Sequence, residues 1–291
     1  MRDDPRRGIA LMLAAVAVFS AMDASMKVLT HSYPPLEVSC LRGLSSVPVI
    51  LLGVAWRGAW RQLRPIRWRA HVIRAALAVA TLSLFVLSLR TLLLSETYAL
   101  FLCEPLIVTA LSALLLREHV GWHRWGAILI GFGGVVIMLH PNPEHFISAG
   151  AAAALSSALC YALGALTIRV LAREESTLSV AFSCVLAVGL VNGLLAAPHW
   201  IPLRMTHWPW IAAVGVSGAI AQLLLVQAFR SASPMVIAPF EYTALLWGLV
   251  LDWLLWHTLP GSRTLTGALL VTSTGLYVIY REHRRPAASA G

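Results

Sequence analysis

The chain states one pattern twice, and each statement holds five apolar stretches long enough to cross a bilayer. Five is odd, so the second copy must enter the membrane from the opposite side and lie upside down relative to the first. The repeat can be followed residue by residue. Residues 8–29 align with 150–171, placing Phe19 over Tyr161, Ser25 over Thr167 and Lys27 over Arg169. Farther along, Trp68 matches Trp208, Arg90 matches Arg230, Gly126 and Gly134 match Gly267 and Gly275, and Glu104 matches Glu241 with a slightly shortened offset.

Composition agrees with a bilayer as the solvent. Of 291 residues, 58% are hydrophobic and 12% charged, with mean hydropathy +0.76, whereas about 25% of a soluble domain is charged. Apolar runs of spanning length fall near 8–29, 36–56, 71–90, 95–116, 123–140, 148–170, 176–197, 208–229, 235–256 and 262–280. The sequence therefore predicts an all-α integral membrane protein of ten transmembrane helices in two inverted five-helix repeats, 1–140 and 148–281, with a tail at 282–291. No stretch remains for a soluble catalytic domain.

The net charge of +9 does not point to nucleic acid, because the basic residues are scattered at helix ends and form no domain that grips phosphates. Of 22 Lys and Arg, 16 fall in connections on the side of Met1 and only Lys27, Arg90, Arg204 and Arg263 on the other, with Arg42 and Arg74 inside spans. The positive-inside rule then puts both termini in the cytoplasm of a bacterial-type inner membrane. The longest connection, 57–69, mixes tryptophan with arginine and suits a headgroup interface. The first span could pass for a signal peptide, but it is long enough to cross and aligns with the internal sixth span, so it reads as a permanent helix. Cys40, Cys103, Cys160 and Cys184 sit in apolar spans at unrelated spacings and read as free core thiols. Small residues at four-residue spacing, Gly150, Ala154, Ala158 and Ala162, and again Ala127 with Gly131, mark faces for close helix packing.

Polar groups inside the spans carry the functional signal, since an ionisable side chain at the bilayer centre costs about 2.5–3.5 kcal/mol on insertion scales. Glu104 is the most central acid. Glu241 is its repeat mate, and each stands beside a proline, Pro105 or Pro239, that frees backbone carbonyls. Broken segments at matching places in two repeats point to a transport site. The alternative is structural: each Glu accepts hydrogen bonds or pairs with Arg42 or Arg74. Arg42 cannot easily reach the interface and is a candidate contact for a carboxylate or phosphate, or else a partner of Glu37 or Glu104. Asp23 and Lys27 stand one turn apart and are expected to form an i,i+4 ion pair, and Asp252 is expected at the interface. Tyr161, Gln222 and Tyr242 fall at comparable depths and are candidate substrate contacts. Tyr98, Asn192, Gln227 and Trp247 read first as packing or anchors.

Enzyme chemistry finds no support. The stretch 215–218 has the spacing of an intramembrane serine nucleophile, yet no histidine lies within spans nine or ten to act as base. His119 and His123 flank Gly121 in an expected loop, which disfavours a metal site, and no phosphate-binding loop GxxxxGK[ST] is present. No cofactor is expected.

With these residues in view, the chain resembles the drug/metabolite transporter superfamily, of the EamA type. The resemblance rests on 95–118 (SETYALFLCEPLIVTALSALLLRE), on 234–259 (PMVIAPFEYTALLWGLVLDWLLWHTL), and on the glycine-rich spans that follow each of them. One departure stands out: His257 and Thr258 occupy the place where the family usually has Gly-Glu, so Glu118 has no acidic mate and reads as structural. The resemblance implies a central cavity among spans one, three, four, six, eight and nine that alternates its access. It also implies export of amino acids and related metabolites, or uptake of compounds such as riboflavin or S-adenosylmethionine. Export is slightly favoured by family habit, coupling to protons is open, and no oligomer is required.

Overall fold

The computed structural model describes residues 5–63, 68–104, 106, 107, 110, 111, 122–139, 148–171, 177–231 and 238–283. Pro105, Glu118, His119, Gly121, the whole 140–147 connection and the end of the tail lie outside the described residues. Among the described residues, ten α-helices follow in order: α1 (Pro5–Thr30), α2 (Pro35–Arg57), α3 (Trp68–Thr91), α4 (Leu94–Phe101), α5 (Trp122–Leu139), α6 (Ala149–Leu171), α7 (Thr177–Ala196), α8 (Trp208–Ser231), α9 (Thr243–Trp256) and α10 (Ser262–His283). Each falls in one of the ten apolar stretches of the sequence. Five helical segments, within α1, α2, α3, α7 and α8, are long and apolar enough to cross a membrane, and α5 and α6 contain shorter apolar segments. Side chains such as Leu52 and Leu194 stay more than 70% uncovered, as expected where lipid is the neighbour.

The packing repeats with the sequence. Helix α1 lies along α8, and α3 lies along α6, the same pairing with the repeats exchanged. The same exchange relates α2 on α8 to α7 on α3, and α1 on α9 to α6 on α4, while α2 with α7, α4 with α9 and α5 with α10 each pair a helix with its own mate. Direction is fixed by contacts at one end of the bundle. Glu37, in the first turn of α2, accepts a hydrogen bond from the Ile201 amide just beyond α7 (3.0 Å). Asp252, near the end of α9, accepts from the first amides of α4. Mates therefore run in opposite directions, and the second repeat is inverted.

Close approach at these crossings depends on missing side chains. A Cβ on Gly43 would stand within 2.5 Å of the Gly189 backbone, where α2 crosses α7, and a Cβ on Gly134 would meet the Gly267 carbonyl at 2.8 Å, where α5 crosses α10. Gly150, Ala154, Ala158 and Ala162 are all buried on α6, which packs on α3 and α4. In a bilayer such packing replaces the hydrophobic driving force available in water. The main core cluster gathers Met22, Met26, Leu41, Phe85, Leu89, Leu94, Tyr98, Val188 and Val214 from α1, α2, α3, α4, α7 and α8.

Candidate functional site

Two helices fail to run straight through, and they are the two that carry the central acids. Helix α4 ends at Phe101, with Leu102 and Cys103 in a turn and Glu104 immediately after it. In the second repeat, Glu241 lies in a 3₁₀ segment, Ala238–Tyr242, that precedes α9. Backbone carbonyls leave the regular ladder at both places, as at other membrane-depth irregularities that face protein or a cavity. Pro105 is outside the described residues, so its share in the first break is not visible.

Glu104 and Glu241 lie within electrostatic range of each other. Tyr161, from α6, and Tyr242 both feel the two carboxylates, so four groups from three elements share one neighbourhood. Both acids are half-buried. Tyr161 leaves 46% of its surface uncovered and meets Phe101 edge to face, with centroids 5.4 Å apart. Tyr242 is buried against Gly275 of α10, where any Cβ would collide with its ring. Its hydroxyl has no hydrogen-bond partner among the described residues. Arg74 of α3 acts electrostatically on Tyr161 and hydrogen-bonds Cys184 of α7. Gln222 is half-buried on α8, and no described hydrogen bond ties it to this group. The arrangement is a polar, aromatic-edged neighbourhood with two acids, suited to a group that donates hydrogen bonds or carries positive charge.

Toward the N-terminal end of α4 stand two further tiers. Tyr98 donates to Asp23 Oδ2 at 2.8 Å, and the Arg42 guanidinium is the charge nearest in effect to that acid. Arg42 Nε is buried without a hydrogen-bond partner among the described residues. About one helical turn further out, Lys27 Nζ lies 3.3 Å from Asp252 Oδ1 and 4.6 Å from the Trp256 ring centre.

These contacts correct three sequence expectations. Lys27 pairs with Asp252 and not with Asp23, because Asp252 approaches from α9 while Asp23 is taken by Tyr98. Asp252 is fully buried rather than interfacial, since the α4 N-terminus offers it the amides of Leu94 (3.0 Å) and Ser95 (2.8 Å) and the Ser95 hydroxyl (2.6 Å). Arg42 acts on Asp23, and Glu37 is instead occupied by Ile201. Sequence reading missed Ser95 as a contact. The signal was available only in part: a helix start needs an acceptor for its free amides, but nothing local shows that the acceptor comes from another repeat. The cysteines carry free thiols, with Cys40 and Cys103 buried and Cys160 and Cys184 half-buried.

Comparison with known proteins gives a consistent result. The model of the EamA-like transporter family matches residues 6–140 and again 148–281. A riboflavin transporter of Vibrio cholerae is 27% identical over 98% of this chain and 97% of its own length. An S-adenosylmethionine uptake transporter of Rickettsia bellii is 25% identical over 95% and 94%. A pseudopaline exporter of Pseudomonas aeruginosa is 24% identical over 91% and 93%. One solved crystal structure superposes with a TM-score of 0.67 at 19% identity, covering 98% of this chain and 99% of that one, a likeness of fold.

Proposed function

The chain belongs to the EamA-like transporter family, a multi-pass inner-membrane metabolite transporter by that membership, and from this premise we propose that it carries a small, polar or amphipathic, cation-bearing metabolite by alternating access. The observation that supports the substrate class is the pairing of Glu104 with Glu241 beside Tyr161 and Tyr242. Two carboxylates at close quarters in a low-dielectric setting repel, so a positive group between them is favoured. That group is either a proton or a cationic part of the substrate. Competition of the two for one acid pair couples their movements in opposite directions, and an inward proton gradient then drives the metabolite out.

In this reading helix bundles drawn from both repeats, 1–140 and 148–281, rock against each other, both termini are cytoplasmic, and Gln222 contributes a neutral polar contact. Arg42, held near Asp23, meets an anionic substrate group only after the two separate. A single chain encloses the route without a partner. The second reading is uptake, favoured by one specific observation: a relative similar along nearly the whole chain is named as an uptake transporter. A non-transporting scaffold or sensor is the reading from another class.

Metabolite profiling of cells and medium, with and without the gene, separates these. A compound that accumulates inside on deletion supports export. A compound depleted inside and left in the medium supports import and overturns the exporter assignment. An unchanged profile across growth conditions supports the scaffold.

A further inference from the structure

We propose that Lys27, Asp252 and the N-terminus of α4 form the gate that shuts one end of the route, and that opening requires the Asp252 carboxylate to leave the Leu94 and Ser95 amides. The proposal rests on the transport reading of the acid pair. Its geometry is on three elements: Lys27 on α1 and α4 belong to the first repeat, and Asp252 on α9 to the second. Any movement of α9 away from α1 and α4 must act on these bonds.

The lock lies on the same two stretches of chain as the acids. Ser95 precedes Glu104 by nine residues and Asp252 follows Glu241 by eleven, most of them helical, so at ~1.5 Å per helical residue the lock stands on the order of 10 Å beyond them. Between lie Tyr98 with Asp23, and Phe101, whose ring meets both Phe85 and Tyr161. At the lock itself Asp252 is fully buried, and its two oxygens take two backbone amides, one hydroxyl and one ammonium. Such a satisfied arrangement ties α1, α4 and α9 together at its level.

Helix α4 also has a cap of its own: Glu96 Oε2 accepts from the Leu93 amide at 3.1 Å. That local cap survives if α9 withdraws, while the bonds to Asp252 do not, so the second set is the one that motion can break. The sequence adds an asymmetry. Lys27 has a basic repeat mate, Arg169, but the positions aligned with Asp252 fall within 112–115, Ser-Ala-Leu-Leu, where no acid stands. The aligned positions therefore supply no second acid in the place that Asp252 takes, and among the described residues the ionic lock stands at the Lys27 end.

The test uses the full-length protein in cells, with Ser20→Cys as a reporter. Ser20 is buried, about two turns inward of Lys27 on α1. Labelling by a membrane-impermeant maleimide is measured from each face, in intact cells and in inverted vesicles, and corrected for the parent's own cysteines. Asp252→Asn and Lys27→Met are each expected to raise labelling about 10-fold from the face at the Lys27 end only, and Ser95→Ala, a milder change, about threefold. The exchange Lys27→Asp with Asp252→Lys is expected to stay open, because an ammonium cannot accept from the α4 amides. Unchanged labelling in variants present at normal membrane levels overturns the gate, as does an exchange variant that closes again. Labelling needs no substrate, so a gate that opens as expected in a protein that moves no metabolite would overturn the transport reading alone.

Discussion

The phenol of Tyr98, on α4, donates a 2.8 Å hydrogen bond to the buried carboxylate of Asp23, on α1, and Arg42 of α2 supplies the opposing charge. Three helices of the first repeat thus meet at one acid. A charge-assisted hydrogen bond of this kind contributes roughly 1.5–3 kcal/mol, and a buried acid stripped of its counter-charge is destabilised more strongly. Tyr98→Phe should lower the melting temperature of the purified protein in detergent, and Arg42→Gln should lower it further. The double variant Asp23→Asn with Arg42→Gln should recover part of the loss, because the charge left alone has gone. Additive losses would show that Arg42 does not serve Asp23.

Helix crossing at Gly43 and Gly189 offers a sharper contrast. Gly43→Ala places a methyl within 2.5 Å of the facing backbone, and overpacking of this sort costs typically about 1–3 kcal/mol. Gly53, on the same helix, has nothing within 4 Å of its would-be Cβ. There the alanine gains about 0.5–1 kcal/mol from reduced backbone freedom. Thermal unfolding of the two variants should therefore move in opposite directions from the parent.

The α7–α8 connection is fastened by side chains from the first repeat. Glu37 accepts from Ile201, and the Tyr33 hydroxyl accepts from the Arg204 amide at 2.9 Å and contacts His207 Nδ1 at 2.9 Å. Glu37→Ala and Tyr33→Phe should each speed amide hydrogen exchange across 200–207 while leaving α5 and α10 unaffected. Equal exchange in parent and variants would mean that the connection is held by other means.

Tyr161 is the aromatic most open to a ligand in the group around the acids. Tyr161→Phe keeps the edge contact with Phe101 and removes only the hydroxyl, so it should raise the apparent KM for the transported compound several-fold with maximal flux little changed. Loss of maximal flux at unchanged KM would assign the hydroxyl to the conformational step.

Much of this architecture was legible in the chain. The spans and their duplication follow from apolar length and alignment, and the acids beside prolines at matching places marked where the helices are interrupted. The partners of the charges were not legible. Lys27 has an acid one turn away in sequence, Asp23, yet takes Asp252, 225 residues distant, because inversion brings the end of α9 against the start of α4. Asp252 looked interfacial from its place near the end of a span. It is buried because four unsatisfied amides at a helix start require an acceptor, a demand that becomes visible only when the two repeats are folded together. The expected role of Gln222 stays a proposal, since depth along a helix does not fix which face a side chain takes.

The central claim is that the two acids at the two helix breaks carry the metabolite. A deletion strain complemented with the parent, Glu104→Gln or Glu241→Gln, each at matched membrane levels, tests it through the distribution of the transported compound between cells and medium. The parent should restore the normal distribution and each single variant should leave that of the deletion, with the double variant no worse than either, as for residues that act as one unit. Full restoration by either single variant would contradict the account.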